Sequence, residues 1–276
     1  MATQRILITV KTYPTLSKTY GELVCTAGLD EEGRWIRLYP IPFRDLDTYQ
    51  RYKKYEFIEA ELERNRSDPR PESHKVRQGS IKLTGERLGT KDAWESRRQW
   101  ILDRHPVHEN LTGLIAAANE TNSLSLATFK PTKILDFVVE EESREWDAKK
   151  LAAIRAESQQ GVLFEEFVPR SVDQLVRKLP YKFSYRFEDN EGRSSKLMIE
   201  DWEIGALYWN CLRAADGDEE VAVSKVREKY FDSFTKTDLH LFLGTTREWH
   251  GRGKNPFVII GVFPPPKVAR RQQELF

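Results

Sequence analysis

The sequence predicts an α+β protein, with an antiparallel β unit of barrel-like outline and covering helices at the N-terminus and a second mixed part after it. Three observations carry this. Short β-branched or alternating segments separated by Gly, Pro and Asp clusters fill the first third, apolar residues at helical spacing follow them, and the same mixture returns in the last third.

Taken in order, Ile6–Val10, Glu22–Ala27, Arg34–Leu38 and Glu56–Leu62 read as strands. Lys91–Arg104 carries Trp94, Arg98 and Ile101 at helical spacing, and Glu109–Glu120 repeats the pattern through Leu111, Leu114, Ile115 and Ala118, so two helices are expected over the sheet. Strands at Leu124–Phe129 and Ile134–Val139 come next, then the acidic Glu140–Glu142 and a helix over Asp147–Ser158. A helix near Val172–Leu179 precedes strands Phe183–Phe187 and Lys196–Ile199, helices Glu200–Ala214 and Glu219–Phe234, and strands Leu239–Leu243 and Phe257–Phe263. Pro264, Pro265 and Pro266 end the last strand. The expected division is a β-rich, nucleic-acid-binding part over residues 1–140 and an α+β part over 141–276, or one continuous domain.

Composition narrows the function classes. The 276 residues hold 14 Phe, 10 Tyr and 7 Trp, too many rings for a disordered chain. No apolar run reaches the roughly 18 residues of a membrane span, and Met1–Arg5 leads straight into a strand, so a cytoplasmic protein without membrane contact is expected. The two cysteines, Cys25 and Cys211, build neither a disulfide framework nor a zinc site. Net charge is +1 overall, but residues 1–100 hold 19 basic and 15 acidic side chains. The excess is sharpest over Arg34–Lys54, where Arg34, Arg37, Arg44, Arg51, Lys53 and Lys54 are interleaved with Trp35, Tyr39, Phe43, Tyr49 and Tyr52. Guanidinium groups for phosphates and rings for bases are what single-stranded or flipped nucleic acid requires.

There is no GxxxxGK[ST] loop, no GxGxxG after a strand, and no HExxH, GxSxG or zinc-deaminase pattern. Five scattered histidines give no metal spacing, so no metal and no cofactor are expected. The candidates are therefore carboxylates with basic and aromatic neighbours. Asp238 ranks first as an acid because it enters a strand that opens into the Gly244–Asn255 loop with Trp249 and His250. Glu22 is second, beside the polar Lys11–Tyr20 loop with Tyr13. Asp201 is third, because an acid opening a helix also serves as its cap. Lys11, Tyr13, Arg34, Trp35, Arg37, Tyr39, Arg44, Arg70, Trp249 and His250 are the expected nucleic-acid contacts, Arg70 lying in the proline-stiffened loop Arg66–His74.

Lys11–Pro14 with Tyr20 and Glu22, the run Gly33–Pro40 continuing to Phe43 and Arg44, Arg70–Ser73, Asp201–Glu203 and Asp238–Gly244 resemble an uncharacterised prokaryotic family found beside phage-defence genes. More distantly, the chain is similar to the phage-defence DNA glycosylases that remove glucosylated hydroxymethylcytosine. The resemblance implies a monofunctional glycosylase that flips a modified base out of phage DNA and hydrolyses its N-glycosidic bond, with DNA as partner and no obligate protein partner. The alternatives are a non-enzymatic reader of modified DNA or RNA and a metal-dependent nuclease.

Overall fold

The computed structural model describes residues 2–17, 21–159 and 175–268. Its first strand, β1 (Ala2–Lys11), is buried on both faces, because Ile6 and Ile8 enter one apolar cluster while Leu7 and Val10 enter another. β2 (Thr15–Ser17) pairs with the edge of β3 (Gly21–Leu29), and β3 continues through a tight turn into β4 (Trp35–Ile41). β5 (Glu56–Arg64) returns to pair antiparallel with β1, and β6 (Ser73–Val76) closes the gap by pairing antiparallel with β5 and parallel with β4. The strands thus form a closed ring in the order β1-β3-β4-β6-β5 and back to β1. That Greek-key order, with one parallel pair, is the order of the oligonucleotide- and oligosaccharide-binding (OB) barrel. Ile6, Ile8, Val24, Ile36, Leu38 and Ile58 fill the interior, and Phe43 and Tyr52 from the β4–β5 connection join them.

β7 (Lys82–Arg87) adds to β5 outside the ring, and α1 (Lys91–Ile101) covers it, with the Trp100 and Phe57 ring centroids 4.9 Å apart. The rest of the chain makes two further sheets. β8 (Val107–His108), β9 (Leu126–Phe129), β13 (His240–Thr245) and β14 (Phe257–Phe263) form one, ordered β14-β13-β9-β8. β10 (Lys133–Glu141), β11 (Tyr181–Glu188) and β12 (Ser194–Met198) form the other, bridged to the first where Ile199 meets Ile259. α2 (Leu111–Asn119), α4 (Trp202–Ala214) and α5 (Glu219–Arg227) share their core with Phe137, Phe183, Tyr185 and Phe187, while α3 (Ala148–Gln159) follows β10.

The α+β class and the closed N-terminal ring match the sequence reading; four details differ. β6 begins inside the expected Arg66–His74 loop, and β7 adds a strand that was not expected, because Ser73–Val76 and Lys82–Arg87 lack an apolar run and β7 exposes most of its residues. Strand pairing changes its partner set between β7 and β8, so β9 and β10 join β13 and β11 rather than the barrel. The helix expected over Glu219–Phe234 loses its α geometry after Arg227 and continues as a wider π turn, Glu228–Ser233. Of the helix near 172–179, residues 172–174 lie outside the described residues, as do Tyr20 and the basic tail after 268. Residues 175–179 are irregular because side chains take their backbone groups: Val176 N–H donates to Glu22, and the carbonyls of Val176 and Arg177 accept from Trp146 and Tyr13.

Candidate nucleic-acid interface

The site is built around the start of α4, which meets the end of β1 through a bridge between Thr12 and Asp201. Asp201 caps α4 by accepting from Glu203 N–H at 3.1 Å, and its other oxygen is 3.1 Å from Lys54 Nζ. Lys54 also reaches Glu203 Oε2 at 3.0 Å. Lys54 and Asp201 are buried, at 3 % and 0 % side-chain exposure, whereas Glu203 is 55 % exposed and carries this ion cluster to the surface. Burial opposes the charge of Lys54, but the two carboxylates outweigh it and hold its pKa raised. Burial likewise opposes the charge of Glu203, and Lys54 nevertheless keeps it below the ordinary glutamate value. Asp201 is pushed upward by its complete burial.

Beside this cluster is an open cleft of about 700 Å³, lined by Tyr13, Arg44, Arg177, Trp202, Trp209 and Arg213 among others. Its size falls in the roughly 300–1,000 Å³ range of ligand sites. Trp202, Ala206, Trp209 and Arg213 repeat at four, three and four residues, so one stripe of α4 forms a wall. Tyr13 approaches that helix closely because position 205 is glycine; a Cβ there would stand 2.3 Å from the Tyr13 ring. The Tyr13 hydroxyl is then fixed, accepting from Trp209 Nε1 at 2.8 Å and donating to the Arg177 carbonyl at 2.7 Å. The Arg177 guanidinium lies 4.0 Å over the Trp209 ring. Arg44 is held from behind by Glu22, whose buried carboxylate takes Arg44 Nη1 at 2.8 Å and Val176 N–H at 2.9 Å. Among the described residues, no carboxylate forms an ion pair with Arg177 or Arg213. Guanidinium groups of this kind, set among three aromatic rings, suit phosphates next to stacked bases.

Of the residues singled out from sequence, the structure brings Tyr13, Arg44 and Glu22 to this cleft, with Lys11 and Asp201 next to it. The others lie elsewhere. Arg34 is an exposed surface residue paired with Asp30. Trp35, Arg37 and Arg70 are spent in the seam between the barrel and the C-terminal unit. Trp35 packs edge-on against Phe242 at 5.5 Å. Arg37, 1 % exposed, donates to Cys25 Sγ and to the carbonyl and hydroxyl of Ser125. Arg70 forms a buried pair with Asp68 at 2.6 Å, donates to the Thr245 carbonyl and lies 5.2 Å from the Tyr39 ring. In OB barrels the ligand face is formed by the strands equivalent to β3 and β4. Here Leu7, Ala27 and Leu29 on that side share a cluster with Leu126, Phe242, Ile260 and Phe263, so the C-terminal sheet covers it. The Arg34–Lys54 stretch is therefore no continuous track, since alternation sends neighbouring side chains to opposite faces.

Asp238 does not line the cleft and is held by Arg98 at 2.9 Å and by Lys130. Burial works against its charge, yet these cations keep its pKa lowered. His250 is fixed by Thr245 and Asn122, and Trp249 beside it is 52 % exposed. Trp209, Arg177, Arg213, Lys54 and Glu203 were not ranked from sequence. The available signal was the helical spacing of Trp202, Ala206, Trp209 and Arg213. Among the described residues, no group of three or more His, Cys, Asp or Glu side chains is arranged to hold a metal, and no helix is long and apolar enough to cross a membrane.

Fold and cleft together define an OB-type barrel joined, through its ligand-side face, to an α+β unit. Residues 107–276 match the family described as a domain of unknown function (DUF8757), and the chain belongs to that family; residues 2–103 match a second domain of unknown function (DUF8758). No curated protein matches the chain.

Proposed function

We propose that the protein is a nucleic-acid reader, which takes an unpaired or flipped nucleotide into the α4 cleft. Tyr13, Trp202 and Trp209 offer the base aromatic surface, and Arg177 and Arg213, with Arg44 behind them, meet the flanking phosphates. The single observation that carries this reading is the convergence of three rings and three guanidinium groups on one open cleft. Binding is favoured over base excision because the ranked acids are all engaged: Glu22 with Arg44 and Val176, Asp201 with Lys54 and its helix, Asp238 with Arg98 and Lys130.

The experiment is fluorescence anisotropy with single-stranded and mismatched duplex oligonucleotides, plain and carrying hydroxymethylated or glucosylated cytosine. The same mixtures are assayed for alkali-labile sites with and without EDTA. Salt-dependent binding with intact DNA is the expected result. Alkali-labile sites insensitive to EDTA would replace the reader with the glycosylase, with Glu22 at the cleft edge as its leading acid. Mg²⁺-dependent breaks would mean a nuclease, and absence of binding at low salt would remove nucleic acid altogether.

A further inference from the structure

Lys11 adjoins the cleft through Trp202 without lining it, and is not needed for base stacking or phosphate contact. Its Nζ is 4.5 Å from the Phe43 ring centroid and 5.5 Å from that of Trp202, which also lines the cleft. It donates to one backbone carbonyl, Tyr52 O, at 3.3 Å. The neighbouring acids are already bound to another ammonium: Asp201 and Glu203 both hold Lys54. Lys11 is thus an amine among rings, beside a second fixed cation, with no carboxylate of its own among the described residues. Desolvation next to another cation is one of the two arrangements by which proteins turn lysine into a nucleophile.

We propose that Lys11 is a nucleophilic amine that forms an imine with an aldehyde presented by the bound nucleic acid, the open-chain sugar of an abasic site being the aldehyde that nucleic acid supplies. The proposal rests on the nucleic-acid reading of the cleft. Burial first, and the Lys54 ammonium second, lower the Lys11 pKa to about 8, which leaves a usable fraction as free amine near neutral pH. The nitrogen lone pair adds to C1′ while the C=O π pair moves to oxygen, and that oxygen takes the proton the nitrogen sheds. Loss of the oxygen as water leaves a C=N bond to Nζ. One water leaves, and no oxidant, reductant or metal enters. The charges of Glu203 and Asp201 stabilise the protonated imine, as they stabilise the ammonium form of Lys11. A site without a base also leaves the Trp202 region open to the sugar, where an intact nucleotide would place its ring.

The test uses the full chain and an oligonucleotide with one abasic site. The mixture is treated with sodium borohydride, which reduces an imine to a stable amine link, and the adduct is mapped by peptide mass spectrometry. A tetrahydrofuran-site oligonucleotide, which has no aldehyde, reports binding separately. We expect a one-to-one adduct on Lys11, and in Lys11→Arg a loss of at least about 10-fold in trapping with tetrahydrofuran-site affinity changed by less than about 3-fold. An adduct mapped to another lysine or to the N-terminal amine overturns the proposal, as does no adduct with wild-type protein that binds the tetrahydrofuran site. Failure to bind either oligonucleotide overturns the cleft reading as well. If Lys11→Arg does not fold, the wild-type adduct map decides alone.

Discussion

Two regions of this molecule bury charge, and they do so to different ends. At the seam between barrel and C-terminal sheet, Asp68 accepts from Arg70 N–H, Nε and Nη2 and from Ser73 Oγ, while Arg70 Nη1 donates onward to Thr245. Glu72 takes the Ser125 amide and hydroxyl. The Asp68–Arg70 pair is enclosed, at 1 % and 4 % side-chain exposure. At the start of α4, Lys54 and Asp201 are buried as deeply, but the network ends in a half-exposed Glu203, an amine among rings and two arginines that pair with no carboxylate among the described residues. The Asp68–Arg70 pair is closed within the joint, although Trp35 Nε1 and Arg37 Nε of the same seam lack partners among the described residues; the cleft instead sets its guanidinium groups at an open surface. Buried charge alone does not distinguish the two, whereas donors open to a ligand do.

The largest effect should come from opening the seam. Asp68→Ala leaves Arg70 buried without its partner and should cost about 3–5 kcal/mol in urea unfolding. Asp201→Asn keeps an oxygen for the cap and leaves Glu203 to Lys54, and should cost about 1–3 kcal/mol. Equal costs would erase the distinction between closed and open networks. Next is pH. Arg70 and Ser73 overcome the burial penalty and hold the Asp68 pKa down at about 2, so its contribution is complete above the unfolded value near 4 and is lost as pH falls from there toward 2. For one fully shifted Asp this amounts to roughly 2–3 kcal/mol, to be read from unfolding midpoints across that range. Stability should already fall between pH 6.5 and 4, because burial depresses His105 and His240 to about 4 and the unfolded chain takes up protons first. His240→Gln should flatten that upper limb.

At the cleft, Arg177→Ala with Arg213→Ala should weaken single-strand binding by about 10- to 100-fold at low salt and reduce the salt slope by roughly 0.7 for each phosphate that is no longer neutralised. Stability should change by no more than about 1 kcal/mol, since neither arginine carries an ion pair among the described residues. The smallest effect is expected for Arg37→Met. It removes a buried cation that, among the described residues, has no carboxylate bond and whose Nε lacks a partner, so stability should shift by less than about 1.5 kcal/mol with binding unchanged. A lower salt slope in Arg37→Met would move the interface back to the barrel.

The strands of the ring that carry alternating apolar residues were legible: Ile6–Val10, Glu22–Ala27, Arg34–Leu38 and Glu56–Leu62 fall on β1, β3, β4 and β5, whose ends run up to four residues beyond the expected spans. β6 was not, because its four residues are held by backbone pairing between two other strands, and backbone pairing leaves no trace in side-chain pattern. For the cleft, Tyr13 and Glu22 were found because polar and aromatic residues crowd the Lys11–Tyr20 loop, and Arg44 because basic and aromatic residues are interleaved over Arg34–Lys54. Lys54 and Asp201 lie 147 residues apart, and no local spacing reports their pairing. Trp35, Arg37 and Arg70 were misplaced for a related reason: composition reads the same whether an arginine faces solvent or a second unit of the same chain.

The ring is joined by one short parallel seam, in which Arg37 faces Ser73 and Leu38 faces His74. Parting it would turn the barrel into a sheet with two free edges. Arg37 and Glu72 tie that seam to Ser125 of the C-terminal unit, so the shortest pairing in the ring is clasped from outside. Amide hydrogen exchange at Arg37, whose N–H donates to the Glu72 carbonyl across the seam, is therefore a gauge of undocking: it should quicken when the two units separate, while the longer β1–β5 ladder stays protected. In this chain the barrel borrows its closure from its neighbour.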